Sequence, residues 1–306
     1  MMATSGCQAV QRIVENWPQI KKAFATKGFF VYAATDATSA TFLKVCNLFG
    51  KIQGHVRAKE HGVVEVRSQS LKKESYNIVS DLAFSAHTDG TYLQGIALQN
   101  GRKIQIQPPK MIALQAVQPA EEGGISFVVD GQKIAEDMNK EDPSLFSTLC
   151  SPINICREDH CISVPILQKK GHGNYTLRFS YDKDLFAEEK MMKAIQFFQE
   201  KYIKNGKYTT YLDLQKNSII VMDNHRLLHG RTAILGDRLL RRIWIYDDAS
   251  SLLVTPQEEI YFGTSENCKK AFQRYSPYLP LDTSFSTIQS SIPTGIYLPT
   301  ANLIPT

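Results

Sequence analysis

No stretch of this sequence approaches the roughly 18–20 consecutive apolar residues that a membrane-spanning helix needs. The first residues, Met1 to Gln11, lack the basic patch and apolar run of a secretory leader. A soluble, cytoplasmic protein without a membrane partner is the expectation. Cysteine is sparse and scattered: Cys7, Cys46, Cys150, Cys156, Cys161 and Cys268 suit reduced thiols better than a disulfide framework. The tightest group, Cys156 and Cys161 with His160 between, has neither paired zinc spacing nor a second half elsewhere, so it reads as a loop or strand end. Charge of one sign is also lacking. The net charge of +5 is not gathered into a tail or stripe, which excludes nucleic acid as an expected partner and leaves room for an anionic substrate or cofactor. There is no internal repeat and no low-complexity segment.

What remains is ordinary globular material. Apolar residues make up 43% and charged residues 21% of 306 residues, enough to bury a large core in one large or two small domains. Val10, Ile13, Val14, Trp17, Ile20 and Phe24 recur at helical spacing, with Pro18 dividing the run and Gly28 ending it. Phe29 to Ala33 predicts a strand, and Phe42, Leu43, Val45, Cys46 and Phe49 a second helix stopped by Gly50. Further strands are expected at Val63–Val66, Met111–Val117, Gly123–Asp130, Ser218–Met222 and Leu239–Tyr246, with short turns and strands from Ile153 to Phe179. Gln99 to Gln107 is polar and reads as a surface loop or lid. Ile134–Met138 and Leu145–Leu149 predict short helices, and Phe186 to Tyr202 a longer one within a helical insertion near 183–206. The pattern is mainly β with helices (α+β). It suggests a jelly-roll β-core with helical support, whose mouth can gather inward-facing residues of opposed strands. Residues 1–246 are taken as that single domain, and 247–306 as an extension packed on it.

The chemistry concentrates in Ala86-His87-Thr88-Asp89-Gly90 and in a distant partner, Asp223-Asn224-His225-Arg226-Leu227-Leu228-His229-Gly230-Arg231. On an extended strand His87 and Asp89 share a face. With His229 they would form two imidazoles and a carboxylate on one side of a metal, the arrangement of non-haem Fe(II) oxygenases. A His-x-Asp triplet alone is common by chance, and its plain reading is a hydrogen-bonded core pair.

Four further pieces add order. These are Pro108-Pro109 with Leu114, Gly123-Gly124-x-Ser126, Val129-Asp130-Gly131, and Arg241-Arg242-Ile-Trp244. Together with the histidine motifs they resemble the taurine dioxygenase-like (TauD/TfdA) family of Fe(II)/2-oxoglutarate oxygenases, including its γ-butyrobetaine and trimethyllysine hydroxylase branch. The resemblance runs from about Phe29 to Tyr246. It implies a double-stranded β-helix (jelly-roll, cupin-like) core, with Fe(II), 2-oxoglutarate and O2 as cofactor and co-substrates. It makes His87, Asp89 and His229 the metal ligands and catalytic residues. Ser126 would bind 2-oxoglutarate, and Arg242 would hold the far carboxylate through two parallel hydrogen bonds, with Arg238 as another candidate and Arg241 facing away. Arg178 and Arg231 are candidate substrate contacts, each balanced against a plain reading as a strand residue or a brace for the Asp223 turn. His225 reads as a turn residue. The family's Pro-Gly-Asp turn is replaced here by Gln215-Lys216-Asn217.

The reaction so implied is oxidation of an unactivated C–H bond of a small amino-acid-like carboxylate, by hydroxylation, desaturation or ring closure, coupled to 2-oxoglutarate giving succinate and CO2. A biosynthetic role is the first reading. A catabolic sulfonate or butyrobetaine-type hydroxylase is the second, and a non-catalytic jelly-roll binding protein the third. The expected partner is a small molecule; a homo-oligomer is left open.

Overall fold

The computed structural model describes residues 5–33, 38–53, 58, 61–68, 83–93, 95–99, 102–156, 161–181, 185–212, 214–246 and 296–297. Two antiparallel sheets face each other. The larger has six strands. Phe29–Ala33, Ser218–Asp223, Met111–Gln118 and Arg238–Tyr246 lie side by side, and Lys51–Gln53 and Val64–Ser68 both pair with the last of these. The smaller sheet has four strands in the order Thr209–Leu212, Ser126–Asp130, Leu227–Arg231, Phe84–His87. This is the jelly-roll expected from the sequence.

The alternation of side chains explains why both faces of the large sheet are apolar. Ile112, Leu114, Ala116, Ile220, Met222, Leu240, Trp244 and Tyr246 turn inward, where they meet Val128, Leu212 and Leu227 of the small sheet. Their neighbours Met111, Ala113, Ile219, Val221, Ile243 and Ile245 turn outward onto Ile13, Phe42, Val45 and Cys46 of the N-terminal helices. A strand covered on both faces reads as a continuous apolar run, as Ser218–Met222 does. Behind the small sheet lies a third apolar cluster, in which Val129 and Leu228 meet Ile134, Met138, Leu149, Ile195 and Phe198. The molecule is therefore layered as helices, sheet, sheet, helices.

Local signals set the helix ends. Helices Ser5–Glu15 and Trp17–Lys27 are separated at Asn16, with Pro18 in the first turn of the second, where its missing N–H costs nothing. Gly28, at φ 78°, takes the left-handed conformation that closes that helix. Thr38 and Asp130 cap Ser39–Phe49 and Gly131–Glu141 by accepting from Thr41 N (3.2 Å) and Lys133 N (3.3 Å). The Gln215-Lys216-Asn217 turn is tight, with Asn217 at φ 72°.

Two expectations are corrected. Gly95–Gln99 and Arg102–Ile106 form a β-hairpin, not a polar loop. Leu185–Glu188 is a strand on Pro152–Cys156, so the helix begins at Glu189, runs to Phe198 and ends in a wide π-turn over Gln199–Ile203. Cys156 and Cys161 do lie at strand ends, opposite each other in paired strands. The extension over 247–306 lies outside the described residues, apart from Ile296–Tyr297, which pair with Leu185–Glu188. Among the described residues no helix is long and apolar enough to cross a membrane.

Candidate active site

His229 and His87 are direct cross-strand partners in the small sheet. Opposed residues of an antiparallel pair point to one face with their Cβ atoms about 5 Å apart, and the two imidazole centroids are 4.1 Å apart. The Phe84–His87 strand stops at His87, so strand alternation does not place Asp89. A turn does, and its geometry is over-determined. The Thr88 amide donates to the Phe179 carbonyl at 2.7 Å, and the Thr88 hydroxyl accepts from the Phe179 amide at 3.0 Å. Asn224, buried to 1% exposure, accepts from the Asp89 amide at 2.8 Å and donates to the Asp89 and Pro109 carbonyls, both at 3.0 Å.

The outcome is one buried cluster. His87, Asp89 and His229 bring a donor atom each to within 4.8 Å of one another. Asp89 Oδ1 lies 3.6 Å from His87 Nε2 and 3.9 Å from His229 Nε2. Two donors bound to one ion at about 2.1 Å can be no more than about 4.2 Å apart, and both spacings fall under that limit. His87 Nδ1 lies 2.9 Å from the Ser85 carbonyl. A carbonyl can only accept, so Nδ1 carries a proton and Nε2 is the ring atom turned to the cluster. Burial, with the neighbouring His87, pushes the His229 imidazole down to about 3, so it is neutral. Burial alone would raise the Asp89 carboxyl; the Arg242 guanidinium together with the His87 and His229 imidazoles outweighs it and holds the group well below the ordinary carboxylate range. Donor atoms of two imidazoles and a carboxylate converge on one point, and a cation is what satisfies them. The donor set of two nitrogens and one oxygen is the facial set of non-haem iron.

The last strand supplies the surroundings. Arg238, Arg242 and Trp244 alternate along it and all point inward; Arg241 points away and donates to Gln115 Oε1 at 3.2 Å. The expectation for Ser126 resolves in an unexpected direction. Its hydroxyl accepts from Arg238 Nη2 at 3.2 Å. Arg242 instead lies on Asp89, with Nη1 at 3.1 Å from Oδ2 and 3.3 Å from Oδ1. Arg238 also lines a cavity of about 240 Å³ with Ala116, Gly124, Leu212 and Leu240. Burial and the charge of Arg231 lower its guanidinium to about 10.

Arg231 is buried beside this pair and donates to the Thr232 carbonyl at 3.2 Å. The Asp223 turn is held by Lys110, at 2.8 Å, rather than by Arg231. Arg178 points Nη1 at the Thr91 and Leu93 carbonyls, both at 3.4 Å, just past the metal turn, and burial lowers it to about 10. His225 is a turn residue, with Nε2 at 3.2 Å from the Pro108 carbonyl. Arg226 grips both oxygens of Asp130 at 3.2 and 2.7 Å, so those two motif residues are architectural. Asn224 and Trp244 were in the sequence motifs without a role. Trp244 had a readable signal, since it stands two positions after Arg242 on one strand face. Asn224 had none, because its partners are distant in the chain.

The family model described as taurine catabolism dioxygenase TauD, TfdA family matches residues 8–244. The chain belongs to this family. It is a 2-oxoglutarate-dependent non-haem iron dioxygenase, and nothing singles out the butyrobetaine branch within that group. No curated protein sequence matches it. Solved structures share the fold. PvcB from Pseudomonas aeruginosa has a TM-score of 0.58 at 17% identity, covering 79% of this chain and 82% of that one. Asparagine oxygenase in complex with Fe(II), 3-hydroxyasparagine and succinate has a TM-score of 0.59 at 12% identity, covering 77% and 79%. The non-haem iron oxygenase OrfP, in complex with Fe and α-ketoglutaric acid, has a TM-score of 0.56 at 13% identity, covering 77% and 80%. At such identities the likeness speaks for the fold, and this TauD-like chain's substrate must be argued from its own residues.

Proposed function

We propose that this dioxygenase holds Fe(II) with His87, Asp89 and His229, grips 2-oxoglutarate with Ser126 and Arg238, and oxidises a C–H bond of a small amino-acid-like carboxylate. One observation carries the reading: the imidazole–carboxylate cluster and the Ser126–Arg238 pair open on the same interior, one end suited to a cation and the other to a carboxylate.

The iron, when bound with 2-oxoglutarate, supplies the activation of O2 for which side chains have no counterpart. The residues do the rest. Ser126 offers a hydroxyl and Arg238 a permanently charged fork to the far carboxylate, and the pair is pre-assembled by its own hydrogen bond. Arg238 is preferred to Arg242 for this carboxylate because Arg242 lies on Asp89. Leu212 and Leu240 beside Arg238 lower the local dielectric and would strengthen its pairing with that carboxylate.

Charge supports an anionic substrate. Arg231, Arg238 and Arg242 are buried, whereas Asp89 is the only fully buried acid among the described residues. A dianionic co-substrate and a substrate carboxylate would balance this surplus, with Arg178 or Arg231 as the substrate's anchor. Asparagine oxygenase and OrfP carry hydroxylated amino acids in their complexes, and PvcB belongs to an isonitrile synthetic pathway. These relatives favour a biosynthetic amino-acid oxidation.

The test is an anaerobic titration of metal-free protein with Fe(II) and then 2-oxoglutarate, followed in the visible spectrum. A weak charge-transfer band that is lost in His87→Ala and weakened in Arg238→Ala is the expected result. A screen of amino acids reading succinate then finds the substrate. No band in folded protein would overturn the proposal.

A further inference from the structure

We propose that Trp244 is a positioning residue for Asp89: its indole N–H occupies Oδ2 and restricts the carboxylate to a single metal-facing oxygen, Oδ1. The inference rests on the iron-site reading above and goes beyond it. Trp244 Nε1 donates to Asp89 Oδ2 at 2.7 Å, shorter than the usual N–H···O distance of about 2.9 Å. Arg242 Nη1 approaches the same oxygen at 3.1 Å. Trp244 thus takes a lone pair of Oδ2, and the Arg242 guanidinium lies against the same oxygen as an ion pair while its own hydrogen bond goes to Oδ1 at 3.3 Å. Oδ1 is the oxygen turned toward the histidines, at 3.6 and 3.9 Å from their Nε2 atoms.

The restriction matters for counting. A six-coordinate ion held by two imidazoles and one carboxylate oxygen has three positions left. If Asp89 bound through both oxygens, two would remain, and 2-oxoglutarate alone would use them. Indole suits the task because it donates and cannot accept, so it cannot be turned to ligate the metal or take up its proton. It is also held still. Trp244 is 5% exposed, packs with Leu93, Ile112 and Leu114 between the sheets, and has the Arg242 guanidinium 5.6 Å from its ring centroid.

This placement gives a direct readout. The chain has two tryptophans, and the other, Trp17, packs on Phe49 among the outer helices. In Trp17→Phe the remaining emission comes from an indole bonded to a metal ligand. Anaerobic Fe(II) should quench it, and no Fe(II)-dependent change should remain in Trp244→Phe. Trp244→Phe keeps an aromatic ring, smaller than indole, and loses the donor. It should bind Fe(II) roughly 10–100-fold more weakly, as removal of a ligand's hydrogen-bonding partner typically does, and its 2-oxoglutarate band should shift. Unchanged iron affinity and an unshifted band in folded Trp244→Phe would overturn the positioning role while leaving the iron site standing. If that variant does not fold, the Trp17→Phe titration decides, and emission indifferent to saturating iron overturns the proposal. Failure of the unsubstituted protein to take up Fe(II) overturns the iron-site reading, and this inference with it.

Discussion

At Asn224 one buried amide satisfies the Asp89 N–H and two carbonyls, those of Asp89 and Pro109. Truncation to alanine leaves three backbone groups buried without partners. Asn224→Ala should therefore lower unfolding free energy by roughly 2–4 kcal/mol in urea titrations and weaken Fe(II) binding, because the turn that aims Asp89 loosens. Arg238 and Arg242 separate by role. Arg238→Lys keeps the charge and loses the fork, so it should raise the 2-oxoglutarate KM roughly ten-fold or more with iron affinity little changed. Arg242→Lys should act mainly on the iron, since Asp89 is what Arg242 touches. His225 gives a pH dependence. Burial, with the nearby Lys110 charge, lowers its imidazole from the ordinary 6.5. The folded state prefers the neutral ring, so this contribution is complete above pH 6.5 and is lost on acidification, as the unfolded chain takes up a proton that the fold refuses. Denaturant midpoints measured at about pH 7.5 and about 5.5 should fall toward acid, and His225→Gln should flatten part of that fall.

Among the elements, the pairing of Leu227–Arg231 with Phe84–His87 is what brings the histidines together. A Cβ added at Gly230 would lie 2.5 Å from the Phe84 carbonyl oxygen and from Phe127 Cζ. Gly230→Ala must push the two strands apart. It should cost about 1–3 kcal/mol and reduce iron affinity, readable together as melting temperature and Fe(II) uptake. The element scale is also where the sequence was most and least legible. Inward and outward alternation placed Arg242 inside and Arg241 outside, because a register of seven pairs along Met111–Gln118 leaves a strand one choice of face. The Gly95–Ile106 hairpin was missed because its polar residues outweighed its turn signal, the Asn100-Gly101 dipeptide between two alternating runs. Asp89 was placed on the right side for an incomplete reason. Its aim comes from a turn pinned by Asn224 and Phe179, and such long-range hydrogen bonds leave no periodicity behind.

Over the whole molecule, three apolar clusters sit between and outside the sheets, and the candidate metal cluster is not required to hold any of them together. The metal-free protein should therefore stay folded and unfold cooperatively. Fe(II) at about one hundred times its Kd should add roughly 2.7 kcal/mol, which raises the melting temperature by about 4 °C for a chain of this size. Calorimetry with a chelator and with anaerobic Fe(II) checks this; a metal-free protein lacking a cooperative transition would show that the site is part of the core. The strand Arg238–Tyr246 has one more consequence, for how such a chain can diversify. Every other residue on it faces the chemistry, and it pairs with three other strands. Point changes at its outer positions disturb packing on the N-terminal helices and leave the inner set in place, but insertion or deletion of one residue within it would exchange the inner and outer sets at a stroke. Lineages exploring new substrates are thereby steered away from length changes in this strand and toward the connecting segments around the mouth, where length is free.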